Sequence, residues 1–202
     1  MSIQELRPAD ECDLAQALAE AFLENPLNRA VIGGNPRVRL RANRAGMDLT
    51  LGSARGAARI LTVFAEPGEL AGGLIAVPPR QWPLPPPLLS QQILGLFRQG
   101  LRVTSRWGHV HSKLAELHPK EPHWYLSTLG IDPRYQRKGL ASGLLDHWLR
   151  EVDGEREKVY LETDHPQSLS FYLNRGFRVY DELKLLGVPI WRMSRSTDSG
   201  SS

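Results

Sequence analysis

Apolar residues along this chain follow two periods, and the last third shows both most clearly. HWYLSTLGID, from His123 to Asp132, is β-rich and nearly continuous in apolar character, as expected of a central strand covered on both faces. From Leu140, the positions Leu144, Leu145, Trp148 and Leu149 keep one helix face apolar, with Gly154 as the expected stop. KVYLET reads as another buried strand, and SLSFYLNRGF as a short helix ending at Gly176. RVYDELKLLGVPIWRMSR gives two closing strands around Gly187 and Pro189.

The amino-terminal half is patterned more loosely. SIQELRPAD reads as a short edge strand. The next run, ADECDLAQALAEAFLENP, is helical: Asp10 is its candidate N-cap, Leu14, Leu18, Ala21 and Phe22 share a stripe, and Asn25 with Pro26 stop it. A second helical pattern from about Pro36 to Leu51 carries Arg37, Arg39, Arg41 and Arg44, read as a solvated face. Ile60–Ala65 and Leu70–Val77 form a hairpin across Pro67-Gly68. The segment VPPRQWPLPPPLL holds six prolines in thirteen residues, which makes it a stiff surface connection in which Trp82 needs something to pack on. Leu88–Leu117 suggests one or two helices interrupted near Gly100 or Gly108. Strands mixed with helices throughout imply an α+β or mixed α/β sheet, folded as one domain over 1–195, with 196–202 as a disordered tail.

Composition narrows the function classes. The chain has 202 residues, 41% hydrophobic and 23% charged, which is ordinary for a folded globular domain. A net charge of +3 falls short of the concentrated basic stripe that tracks a nucleic acid. One cysteine, Cys12, allows no internal disulfide, and a cytoplasmic location is the default. No run approaches 18 apolar residues, and the amino terminus is polar within six residues, so no membrane association is expected. His109 and His111 lack accompanying ligands at metal spacing, and no metal site is expected.

The chemistry concentrates in DPRYQRKGLASGLLDHW. Gln136, Arg137, Lys138, Gly139, Leu140, Ala141 and Ser142 form a basic, glycine-containing turn that follows a strand and opens an amphipathic helix. That placement aims free backbone N–H groups and the positive helix end at an anion. The same stretch also reads as an ordinary strand-to-helix connection with solvated basic residues.

Three separated features, LGIDPRYQRKGLASGLL, the YLET strand and FYLNRGF, resemble the GNAT superfamily of acyl-CoA-dependent N-acyltransferases. HPKEPHWYLSTLGIDP and LETDHPQSLSFYLNRGF look most like its puromycin N-acetyltransferase branch. The resemblance implies a mixed, mostly antiparallel sheet flanked by helices, whose two central strands run parallel and splay to admit acetyl-CoA. It implies that the main chain of Leu129, Gly130 and Ile131 pairs with the pantetheine arm. The pyrophosphate would then rest on the N–H groups from Arg137 to Ser142. Ser168 stands where relatives often carry a cofactor-binding asparagine, and Arg137 and Ala141 replace frequent glycines. Tyr172 falls at the proton-donor position; a phenol, near pKa 10, stays protonated beside a thiol near 8.5. For the base, Glu121 is the first choice, with His123 and Glu162 as alternatives. The implied reaction is direct acetyl transfer to a primary amine of a small molecule. A protein N-acetyltransferase and an acyl-CoA sensor with little turnover are the competing readings, and both monomer and homodimer remain open.

Overall fold

The computed structural model describes residues 1–196, so the expected tail lies, from Thr197 onward, outside the described residues. The strands are β1 (Ser2–Glu5), β2 (Arg59–Glu66), β3 (Glu69–Val77), β4 (Trp124–Ile131), β5 (Val159–Thr163), β6 (Arg178–Leu185) and β7 (Val188–Arg195). The helices are α1 (Glu11–Ala21), α2 (Pro26–Ile32), α3 (Pro36–Ala54), α4 (Leu89–Gln99), α5 (Leu101–Leu117), α6 (Leu140–Glu155) and α7 (Pro166–Leu173). One seven-stranded sheet runs in the order β1-β2-β3-β4-β5-β7-β6. The mixed α/β architecture, the hairpin and the edge position of β1 are as the sequence implies.

Every strand pair is antiparallel except β4–β5. This parallel pair holds together only at Trp124–Val159 and Tyr125–Tyr160, while β4 continues along β3 as far as Ile131. The two central strands therefore part after Tyr125. On β4 the register steps by one residue: Leu126 faces Ala76 but Thr128 faces Ile75, which leaves Ser127 as an extra, bulged residue at the fork. A bulge bends its strand and sharpens its twist, and here it falls where β4 leaves β5.

Both faces of the sheet are covered. On one, Leu144, Leu145, Trp148 and Leu149 of α6 close a core with Leu61, Val63, Leu74 and Leu126. On the other, Leu14 and Leu18 of α1 with Leu51 and Ala54 of α3 pack on Ile75. A smaller cluster ties α2 and α5 to the β6–β7 hairpin through Leu27, Val31, Val103, Val110, Leu185 and Ile190.

Glycines set how closely α1 lies on the sheet. Gly73 and Gly130 are opposite each other on β3 and β4. A Cβ on Gly130 would sit 2.8 Å from Leu18 and 3.1 Å from both Ala21 and Phe22. Gly130→Ala is therefore expected to push α1 outward and to cost about 1–3 kcal/mol, the usual range for overpacking, measured as a lower urea midpoint at unchanged m-value.

Several boundaries differ from the sequence reading. Asp10 does not cap α1, because its carboxylate is held by the Arg7 guanidinium (Nε–Oδ2 2.6 Å). Helix α1 ends at Ala21, short of Asn25, and Asn25 and Pro26 instead open α2: Asn25 accepts from Asn28 N, and proline at the first helical position loses no hydrogen bond. Arg39 is buried instead of solvated, with its guanidinium donating to Leu23 O, Gly34 O and Glu24. The break before α5 is at Gly100, and Gly108 lies inside that helix. Gly154 likewise sits inside α6, which ends at Arg156 in a left-handed conformation (φ +57°).

Candidate active site

The turn after β4 is braced from beneath. Asp132 is 2% exposed and accepts from Arg134 N and from the Arg134 guanidinium (Nη2–Oδ2 2.8 Å). Burial alone would raise the Asp132 carboxyl; the hydrogen bonds and charge of Arg134 outweigh it and hold the group below the usual carboxylate range. The Gln136 side chain donates back to Ile131 O at 2.9 Å, so it locks the turn instead of reaching outward.

Above this brace the main chain is open. Arg137 and Gly139 both adopt positive φ, +60° and +77°, and α6 begins at Leu140. The first bond into the helix runs from Gly143 N to Gly139 O, and the N–H groups of Arg137, Lys138, Gly139, Leu140, Ala141 and Ser142 find no acceptor among the described residues. A Cβ on Gly139 would meet nothing within 4 Å, so the space there is free. Unclaimed amides at the positive end of a 16-residue helix suit a diphosphate. Arg137 holds a left-handed conformation at a cost of roughly 1–2 kcal/mol for an L-residue. Arg137→Gly should relieve it, and after the added freedom of the unfolded glycine chain a net gain of about 0.5–1 kcal/mol in urea unfolding is expected.

The gap between the splayed strands lies next to this turn. Asp132 N bonds Ala71 O, and antiparallel alternation then directs the main chain of Gly130 to β3 and that of Leu129 and Ile131 away from it, toward the gap. Gly130 is thus a correction to the expected pairing set: its peptide groups serve the sheet, and its missing side chain serves α1. On the far bank, Ser168 is half-buried in the first turn of α7. Tyr172 is 8% exposed, within the same α6-side cluster as Leu126 and Leu161, and its ring meets Phe177 at 5.6 Å. Its hydroxyl makes no hydrogen bond among the described residues. Burial raises the phenol pKa, against a smaller lowering by Arg175, so it stays protonated.

The opposite face carries a polar and aromatic cluster that sequence reasoning largely missed. Glu162 projects from β5 two residues past the last β4–β5 rung. Tyr160 Oη donates to Glu162 Oε1 at 2.6 Å, and Arg192 Nε donates to Tyr160 Oη at 3.2 Å. Burial pushes the Glu162 carboxyl up, while hydrogen bonds from Tyr160 and Tyr125 and the charge of Arg192 pull it down; burial prevails. Arg192 is anchored in turn by Asp181 and by Leu117 O. His123 Nδ1 faces Glu121 O at 2.6 Å, and because a carbonyl only accepts, this nitrogen carries the proton. His123 Nε2 lies within hydrogen-bond distance of His118 Nε2, at 3.0 Å. Burial, followed by the neighbouring His123 and Arg192, lowers His118 to about 3, so it is neutral at ordinary pH. Trp82 of the proline-rich segment stacks on His118 at 4.4 Å and meets Tyr125 edge-on at 4.9 Å, which supplies the partner that its sequence called for.

Glu121 is a second correction. Its side chain is 76% exposed and pairs with Lys158 at 3.0 Å, ahead of β4, at the end where the strands are still joined. Its carbonyl orients His123; its carboxylate faces solvent. A signal for this cluster lies in the sequence: tyrosine takes the second position of both central strands, with Glu162 in the same alternation as Tyr160.

A parallel strand pair that forks at a bulge, with an open amide turn at one bank and ionisable groups at the fork, defines an acyl-CoA-dependent transferase. The family model described as Acetyltransferase (GNAT) family matches residues 53–177, and the chain belongs to that family. It is accordingly an acyltransferase that uses acetyl-CoA as co-substrate. Among solved structures, the fold is similar to that of a histone acetyltransferase HPA2 and related acetyltransferase from Corynebacterium glutamicum, with 20% identity over 100% of this chain and 98% of that one at a TM-score of 0.74. It is also similar to PaiA N-acetyltransferase from Thermoplasma acidophilum in complex with coenzyme A (14% identity, 96% and 98% covered, TM-score 0.57). Arylalkylamine N-acetyltransferase 2 from Aedes aegypti gives 13% identity, 98% and 99% covered, and a TM-score of 0.61. At these identities the likeness is one of fold. Among the described residues no helix is long and apolar enough to cross a membrane.

Proposed function

We propose that the protein acetylates a primary amine on a small molecule by direct attack within a ternary complex. Acetyl-CoA supplies the acyl group as a thioester. The amides from Arg137 to Ser142 hold the pyrophosphate, the free peptide groups of Leu129 and the free N–H of Ile131 pair with the pantetheine arm, and Ser168 hydrogen-bonds the cofactor from the far bank. Tyr172 Oη donates a proton to the departing sulfur. On the opposite face Glu162, in place of Glu121, takes the proton from the incoming amine, directly or through a water. Tyr160 and Arg192 hold the carboxylate in place, and His118, neutral at ordinary pH, adds no competing positive charge.

The observation that carries the small-molecule reading is the enclosure of Glu162. Tyr160 and Tyr125 hydrogen-bond it, His118 meets both tyrosine rings edge-on, and Trp82 stacks on His118 from the proline-rich segment. Flat aromatic walls favour an amine that bears a ring, and an aminonucleoside of the puromycin type is the first acceptor to test. An extended peptide would need an open groove along the same face. The single free cysteine agrees with a cytoplasmic site of action.

The test is a panel of arylalkyl, aliphatic and aminonucleoside amines beside amino-terminal and lysine-containing peptides, incubated with acetyl-CoA and read by thiol release. Turnover of ring-bearing small amines at higher kcat/KM than any peptide is the expected result. Efficient peptide turnover with inert small amines would replace the proposal with a protein acetyltransferase. Tight coenzyme A binding with no thiol release from any acceptor would make the protein a sensor.

A further inference from the structure

Helix α4 is mounted with its polar side inward. Gly95 is its one buried residue, and a Cβ there would stand 2.8 Å from Leu49 of α3. Gln91 and Gln99 flank it, their amides against Gly52 and Gly46; Gln91 Oε1 accepts from Leu88 N, and Gln99 Nε2 donates to Ala42 O. The apolar side faces outward. Leu88, Leu89, Ile93, Leu94 and Phe97, with Leu101 at the start of α5, are 71%, 71%, 49%, 47%, 82% and 76% exposed. Leu89, Ile93 and Phe97 follow at intervals of four and so form one stripe.

At those exposures the six residues leave roughly 700 Å² of residue surface open, beyond the few hundred Å² usual for an apolar patch on a monomer and close to the ~800 Å² each partner gives to a stable interface. A helix that lies in a lipid surface sets a face rich in lysine and arginine opposite its apolar one. Here the opposite face is glutamine and glycine, fixed on α3. Between Leu88 and Leu101 the only charged residue is Arg98, at the carboxyl-terminal end and within 3.4 Å of Asp48. An apolar centre with arginine at its rim is the composition of a protein interface.

We propose that two copies of the chain pair through this stripe, α4 antiparallel on α4 about a twofold axis near Ile93. Such a contact is self-complementary, since each copy offers the same surface. Antiparallel packing sets Arg98 of each copy over the uncharged Leu89–Ser90 end of the other, whereas parallel packing would bring the two arginines together. The proline-rich segment ends at Leu88, inside the stripe, so the same contact steadies the carboxyl end of the segment that carries Trp82.

Sedimentation velocity across micromolar concentrations tests this, with mass as a readout that does not depend on the acceptor. The parent is expected at twice the 22.6 kDa chain mass, and Ile93→Glu with Phe97→Glu at a single chain with unchanged far-ultraviolet circular dichroism. Leu89→Gln with Phe97→Ser, a milder pair, should weaken the dimer in the same direction. Leu117→Glu, on an exposed apolar residue outside the stripe, should leave it intact. A parent at 22.6 kDa throughout, or a dimer that survives both pairs, overturns the proposal. So does a monomer that floats with phosphatidylglycerol vesicles and loses that property in the glutamate pair, which would assign the stripe to lipid.

Discussion

Tyr172→Phe is expected to lower kcat for acetyl transfer by about 10²–10⁴-fold, the usual worth of a positioned acid, with affinity for coenzyme A unchanged. The phenylalanine keeps the ring and its contact with Phe177, and the lost hydroxyl has no hydrogen-bond partner among the described residues, so the fold should be unaffected. On the proposed mechanism, what disappears is the proton for the departing sulfur. Acyl donors with more acidic thiols need that proton less, and the deficit should shrink with them. A deficit equal for all donors, or a lower thermal midpoint in step with lost activity, would mean that Tyr172 only packs.

Glu162→Gln is expected to cost about 10²–10³-fold in kcat/KM, within the range of general-base catalysis. The pH profile separates a base from a structural carboxylate. Because burial raises Glu162 above the ordinary carboxylate value near 4.3, the acidic limb of kcat/KM should lie above that value, with activity rising as pH climbs through it. The glutamine variant should lose the limb. Stability should move in the opposite sense. Between the unfolded and the raised folded pKa the native state binds more protons than the unfolded one, so Glu162 makes the parent less stable as pH rises across that window. The variant should lack this slope. Retention of the limb in Glu162→Gln would transfer the role to another group.

The legible parts of the sequence were those set by local rules. The fork strands, the turn and α6 each carry a period or a glycine that fixes backbone geometry nearby, and the open amides from Arg137 to Ser142 follow from a glycine-containing turn that opens a helix. The acceptor cluster was obscure because its members come together only through the sheet. His118 ends α5, Trp82 sits in an aperiodic segment, and Arg192 comes from β7; nothing in their spacing joins them before β5 is laid beside β7. Glu121 misled because closeness to β4 in the chain is not closeness to the fork. It precedes the end where the strands are joined, whereas Glu162 lies past the end where they part. Helix α4 resisted assignment for a different reason: a hydrophobic stripe shows that a helix forms, but not that the stripe faces outward.

The turn after β4 grips through peptide groups, and the acceptor cluster is made of side chains. Point mutation can replace Lys138 or Ser142 without deleting the donors beneath them, short of a proline. Trp82, Tyr125 or His118 has no such insurance, since each is its own contact. Substitution is therefore nearly silent on the nucleotide side, whereas each change in the aromatic cluster removes a surface that the acceptor would meet, so the two halves of the reaction evolve under unequal constraint.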